Sequence, residues 1–64
     1  MKFVEFTGKH NGRPKLVTFA INPFRVQYID VHNESTIIVF SDDDWFVTKE
    51  PYATVKKLLE GAEA

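Results

Sequence analysis

Only a few side chains in this chain have types and spacings that could do chemistry. Asp42, Asp43 and Asp44 stand in succession and invite comparison with a cation site. A calcium loop, however, takes its oxygens from alternating positions and closes with a bidentate Glu further on, and neither feature is present. Consecutive Asp residues also stabilise turns by accepting bonds from their own backbone, which is the expectation here. His10 and His32 fall in different polar stretches, the chain has no Cys, and no HExxH spacing occurs. A zinc centre within one chain is therefore not expected. Ser35 and Ser41 lack both a nucleophile-elbow context and a run of backbone donors for an oxyanion. Gly8, Gly12 and Gly61 do not form a phosphate-cradling loop. The expectation is a protein that is not an enzyme, with no catalytic residues, no metal and no cofactor.

Basic side chains offer a different kind of chemistry. Lys9, Arg13 and Lys15 cluster with His10 around Asn11-Gly12, and Arg25 follows beside Phe24. A basic loop next to an exposed ring could contact phosphates and stack on a base. The competing reading is a solvated hairpin tip whose charges keep a sheet edge from pairing with other chains. Charge is uneven along the sequence. Five cations face Glu5 alone up to Tyr28, and from Ile29 onward eight acids face three lysines. The overall net charge of −1 nevertheless falls short of the basic balance usual for a nucleic-acid binder.

The elements that would carry these groups are legible from alternation and breakers. Residues 2–6 read as a short strand. Asn11-Gly12, a pair that accepts positive φ, marks a hairpin turn within a loop running from Gly8 to Pro14. Residues 15–20 resume as a strand, which Asn22-Pro23 should end because Pro has no amide hydrogen to give a sheet. Residues 25–31 form a third strand, residues 32–35 a polar corner, and residues 36–40 a β-branched fourth strand. The three Asp residues turn the chain into a fifth strand over 45–48. The period then changes. Glu50-Pro51 opens a helix in which Tyr52, Val55, Leu58 and Leu59 share one stripe, with Gly61 as C-cap and residues 62–64 frayed. The expected fold is α+β: a single domain spanning 1–64, built as a small antiparallel β-meander of about five strands with one C-terminal helix packed on the sheet.

Sixty-four residues lie near the lower limit for independent folding. Nine aromatic residues supply enough burial to argue against disorder. The absence of cysteine fits a reducing compartment, and no apolar run reaches the roughly 20 residues of a membrane span, so a cytoplasmic location is expected. Several strands are apolar on both sides: Ile37 and Val39 oppose Ile38 and Phe40, and Trp45 and Val47 oppose Phe46. One helix cannot cover both faces of a five-stranded sheet. Either a partner covers the second face or the sheet curls into a small barrel, and a partner is the expectation. The expected contact set is Phe24, Tyr28, Trp45 and Phe46, although alternation puts Trp45 and Phe46 on opposite faces.

Two family resemblances bear on function. Ile21-Asn22, Val26-Gln27-Tyr28-Ile29-Asp30, the run from Glu34 to Val39, Val47-Thr48-Lys49-Glu50 and Val55 together resemble the small FlbD-like (SwrD-like) bacterial motility proteins. That family carries a Leu-Asn turn, an I-x-x-I-E strand, a P-D-T-x-I-x-L strand and a terminal helix. The likeness spans about two thirds of the chain and implies a small bacterial or phage regulatory protein. This chain departs from the family in its longer first loop, in Asp43-Asp44 where Gly is usual, and in Tyr52-Ala53-Thr54 at the helix start. The run Arg25 to Val31, with Val55-Lys56-Lys57-Leu58-Leu59, also looks like the first half of a LytTR-type DNA-binding domain. There the DNA-contacting elements lie beyond this helix, so the resemblance points to an interaction module.

The sequence thus leads to a protein-interaction or regulatory module, self-associating or bound to a host protein through Phe24, Tyr28, Trp45 and Phe46. The alternative is a nucleic-acid-binding regulator using Lys9, Arg13, Lys15 and Arg25.

Overall fold

The computed structural model describes residues 2–63. Five strands, β1 (Val4–His10), β2 (Leu16–Ile21), β3 (Tyr28–His32), β4 (Ser35–Ser41) and β5 (Asp44–Thr48), precede one helix, α1 (Tyr52–Glu63). All neighbours in the sheet are antiparallel, so the α+β class and the five strands plus helix agree with the sequence reading. The strand order, β2-β1-β5-β4-β3, refines it. A meander of β3, β4 and β5 is joined to the β1–β2 hairpin through a β1–β5 seam. Consecutive β2 and β3 therefore stand at opposite edges, and the sheet stays open instead of closing into a barrel.

Three of the turns have a chemical cause. Asn11 and Gly12 adopt φ of 52° and 74°, and the Arg13 amide donates to the His10 carbonyl over 3.1 Å. These are the two left-handed central residues of a primed hairpin turn, as Asn-Gly predicts. Asn33 and Glu34 repeat that geometry between β3 and β4, at φ of 49° and 67°. Asn22 ends β2 differently from a plain turn. Its Oδ1 accepts from the Phe24 amide at 3.0 Å and caps a 3-10 turn, Pro23–Arg25, with Pro23 in the first position. That turn displaces the start of β3 from residue 25 to Tyr28.

Two further boundaries move. β1 runs on to His10, so Gly8 is strand, not loop. It lies against β5, where an added Cβ would fall 2.0 Å from the Val47 carbonyl oxygen. Only a residue without a side chain fits there. The helix passes through Gly61, which is exposed and caps nothing, and the Lys2 amide donates to the Ala62 carbonyl over 2.9 Å. Ala62 and Glu63 are thus helical and not frayed; Ala64 lies outside the described residues.

The core lies between the helix and one face of the sheet. Phe6, Ile21, Ile38 and Phe46 from the strands meet Val55 and Leu59 from α1. The buried helix stripe is Val55, Leu59 and Ala62, at spacings of four and three, whereas Tyr52 and Leu58 are exposed. Two buried polar residues are satisfied. Thr36 Oγ1 donates to the Glu50 carbonyl at 2.7 Å, and Thr48 Oγ1 donates to the Thr7 carbonyl at 3.2 Å. Thr36 and Thr48 are cross-strand neighbours, so their hydroxyls tie the β5-to-helix connection to β4 and β1.

Candidate functional site

Because side chains alternate across a strand, the register alone divides the sheet into two faces. Phe6, His10, Phe19, Ile21, Ile29, Ile38 and Phe46 point toward the helix side. The other face carries no helix. Across its middle run Leu16, Lys9, Val47, Ile37 and Asp30, one from each strand in spatial order. A second row continues with Trp45, Val39 and Tyr28. Val39 is buried by its neighbours, Trp45, Ile37 and Val47 are half-buried, and Tyr28 and Leu16 remain 55% and 61% exposed. Two hollows indent this face. One, of about 320 Å³, is lined by Tyr28, Ile37, Val39 and Trp45, and the other, of about 490 Å³, includes Leu16, Lys9, Pro14 and Val47.

Trp45 is held in place from both sides of its backbone. Its amide donates to Asn11 Oδ1 at 2.9 Å, its carbonyl accepts from the Asn11 amide at 3.0 Å, and Asn11 Nδ2 reaches the Asp43 carbonyl at 3.1 Å. His10 adds a side-chain clasp, its Nε2–H donating to Asp44 Oδ1 at 2.6 Å. The imidazole packs on Phe19 with centroids 5.0 Å apart, and Phe19 packs on Phe46 at 5.2 Å. A hollow of about 400 Å³ beside this pair is lined by His10, Phe19, Arg25, Phe40 and Asp44. With one ring nitrogen bound to the carboxylate and the ring laid on Phe19, His10 fastens the hairpin tip to β5. None of this was read from the sequence, where Asn11 stood only as a turn residue and Asp44 only as part of an acidic run.

The predicted contact residues separate. Tyr28 and Trp45 flank Val39 on the open face. Phe46 is fully buried in the core, so it is a packing residue and not a contact residue. Phe24 is 62% exposed but stands on the 3-10 turn, which packs against α1 and lies outside the open-face rows. The four basic candidates also disperse. Lys9 lies within the open face, Arg13 and Lys15 belong to the hairpin loop, and Arg25 follows the far end of β2. Arg25 lines the hollow beside His10 and Asp44, whereas Lys9 lies on the opposite, helix-free face.

Among the described residues no group of three or more His, Cys, Asp or Glu side chains is placed to hold a metal ion, and no helix is long and apolar enough to cross a membrane. The chain matches no protein-family model, no curated protein and no solved structure.

Proposed function

We propose that this protein is a non-enzymatic interaction module of regulatory type, acting in the cytoplasm, that docks another folded protein surface on its helix-free sheet face. One observation carries the reading. Tyr28, Val39 and Trp45, with Ile37 and Val47 beside them, form a continuous apolar surface on a face that no described residue covers. Small domains rarely leave such a surface wet, because burying one large apolar side chain contributes roughly 1.5–3 kcal/mol. The aromatic ends of the row supply selectivity, and the sheet between them supplies area. Nucleic-acid binding draws less support, because its four cations do not share a face.

The test follows backbone and side-chain NMR shifts as protein concentration rises, and again as a single-stranded oligonucleotide is added at about 50 and 300 mM salt. Docking through the sheet face predicts shifts at the Trp45 indole and at Ile37, Val39 and Val47, little changed by salt. Shifts confined to Lys9, Arg13, Lys15 and Arg25, lost at the higher salt while the apolar rows stay silent, would overturn the proposal.

A further inference from the structure

The charges that frame the open face say what covers it. In the middle row, Lys9 on β1 stands on one side of the apolar pair Val47–Ile37 and Asp30 on β3 stands on the other. Three strand spacings separate them, about 14 Å, too far for an ion pair within one chain. Among the described residues the one salt bridge joins His10 to Asp44, so Lys9 and Asp30 are unpaired side chains on an apolar surface. Asp30 Oδ1 only accepts from the next amide, that of Val31, at 2.8 Å.

Resting on the sheet-face reading above, we infer that the occupant is a second copy of this chain, related by a two-fold axis that runs parallel to the strands midway between β5 and β4. Such an axis exchanges β5 with β4 and β1 with β3. Lys9 of each copy then faces Asp30 of the other, twice, and Val47 faces Ile37. In the second row Trp45 of each copy faces Val39 of the other, so its ring enters the hollow lined by Tyr28, Ile37 and Val39. An axis across the strands through the same row would instead set Lys9 on Lys9 and Asp30 on Asp30. The charge pattern therefore selects one of the two in-plane axes. The interface is isologous, as a closed dimer requires. β2 has no mate under this operation, which leaves Leu16 at the rim.

Four overlapping strands, some 14 Å between the outermost and about 17 Å deep, cover only about 250–350 Å² per copy, below the range of stable interfaces, so the dimer is a weak one. The expected dissociation constant is accordingly on the order of 100 µM. Sedimentation equilibrium from about 1 µM to about 1 mM reads it, with Lys9→Glu, Asp30→Lys and the double variant checked for folding by circular dichroism. Each single reversal sets like charges face to face twice and should weaken the dimer at least about tenfold. An equimolar mixture of the two single variants should regain wild-type association as a heterodimer, because both cross-copy pairs are then of opposite sign. The double variant should regain it alone. A chain that stays monomeric to about 1 mM overturns the second copy as occupant while leaving the face open to a different protein. A dimer indifferent to both reversals and to Val47→Asp would overturn the inference and the sheet-face reading together. Single variants that weaken the dimer but do not rescue each other overturn the two-fold arrangement alone.

Discussion

Replacing Gly8 by Ala adds one methyl group at the seam between the two parts of the sheet. The new Cβ would lie 2.0 Å from the Val47 carbonyl oxygen, 2.9 Å from its carbon and 3.0 Å from Cε2 of Phe46. Two of these obstacles are backbone, so no rotamer change relieves them and the strands must part. The seam itself is short, with Gly8, Lys9 and His10 paired to Thr48, Val47 and Phe46. Overpacking in a tight core costs about 1–3 kcal/mol where side chains can yield, and a rigid carbonyl places this substitution at or above the top of that range. A 64-residue domain has roughly 3–10 kcal/mol of stability in total, so a loss of about 3 kcal/mol removes a large share of it. Urea denaturation followed by Trp45 emission and far-ultraviolet dichroism measures the loss, and melting should fall by about 12–24 °C. Gly61→Ala is the internal comparison. That position is exposed, helical and clear of neighbours, so the same methyl group there should stabilise by about 0.5–1 kcal/mol. If Gly8→Ala cost less than about 1 kcal/mol, the close approach of β1 to β5 would be wrong.

Four further substitutions probe the sheet and its open face. Glu34 holds a left-handed φ of 67° without being Gly or Asn, and Glu34→Gly should raise stability by about 1 kcal/mol in the same denaturation assay. Asn11→Gly keeps the turn conformation but removes the side-chain bonds to the Trp45 amide and the Asp43 carbonyl. A loss of about 1–3 kcal/mol is expected, with faster hydrogen exchange at the Trp45 amide. Phe46→Ala should cost about 3–5 kcal/mol in the monomer, whereas Trp45→Ala, on the open side, should cost clearly less. Equal losses in dilute solution would remove the distinction between core and contact ring.

Local pairings were readable in the sequence because their signals are local. Asn11-Gly12 announces its hairpin, Asn22-Pro23 stops β2, and the change of period at Pro51 announces the helix. Alternation also showed that Trp45 and Phe46 oppose each other. It could not say which one the helix would cover, because both are large rings in equally apolar strands. That choice is set by the β1–β5 register, which pairs Phe46 with His10 and so puts it on the helix side with Phe6. The seam was hidden for a related reason. Gly8 and Asn11 read as loop residues, but in the fold one makes room for Val47 and the other binds Trp45. Their roles depend on partners some thirty to forty positions away, and no window of local sequence carries that. The helix stripe was half legible. Val55 and Leu59 were identified, while Leu58 turns outward and Ala62 takes the buried position.

Placing β5 between β1 and β4 also orders events in time. The β1–β2 hairpin and the β3–β4–β5 meander each close over short loops and can form on their own schedule. Joining them fixes residues about forty positions apart before any seam contact is gained, an entropic cost that neither half meets alone. We expect the folding barrier to lie at this joining step, with substitutions at Val47 slowing folding more than substitutions in β3 do. On a ribosome the hairpin would wait, formed but unpaired along β1, until β5 had emerged.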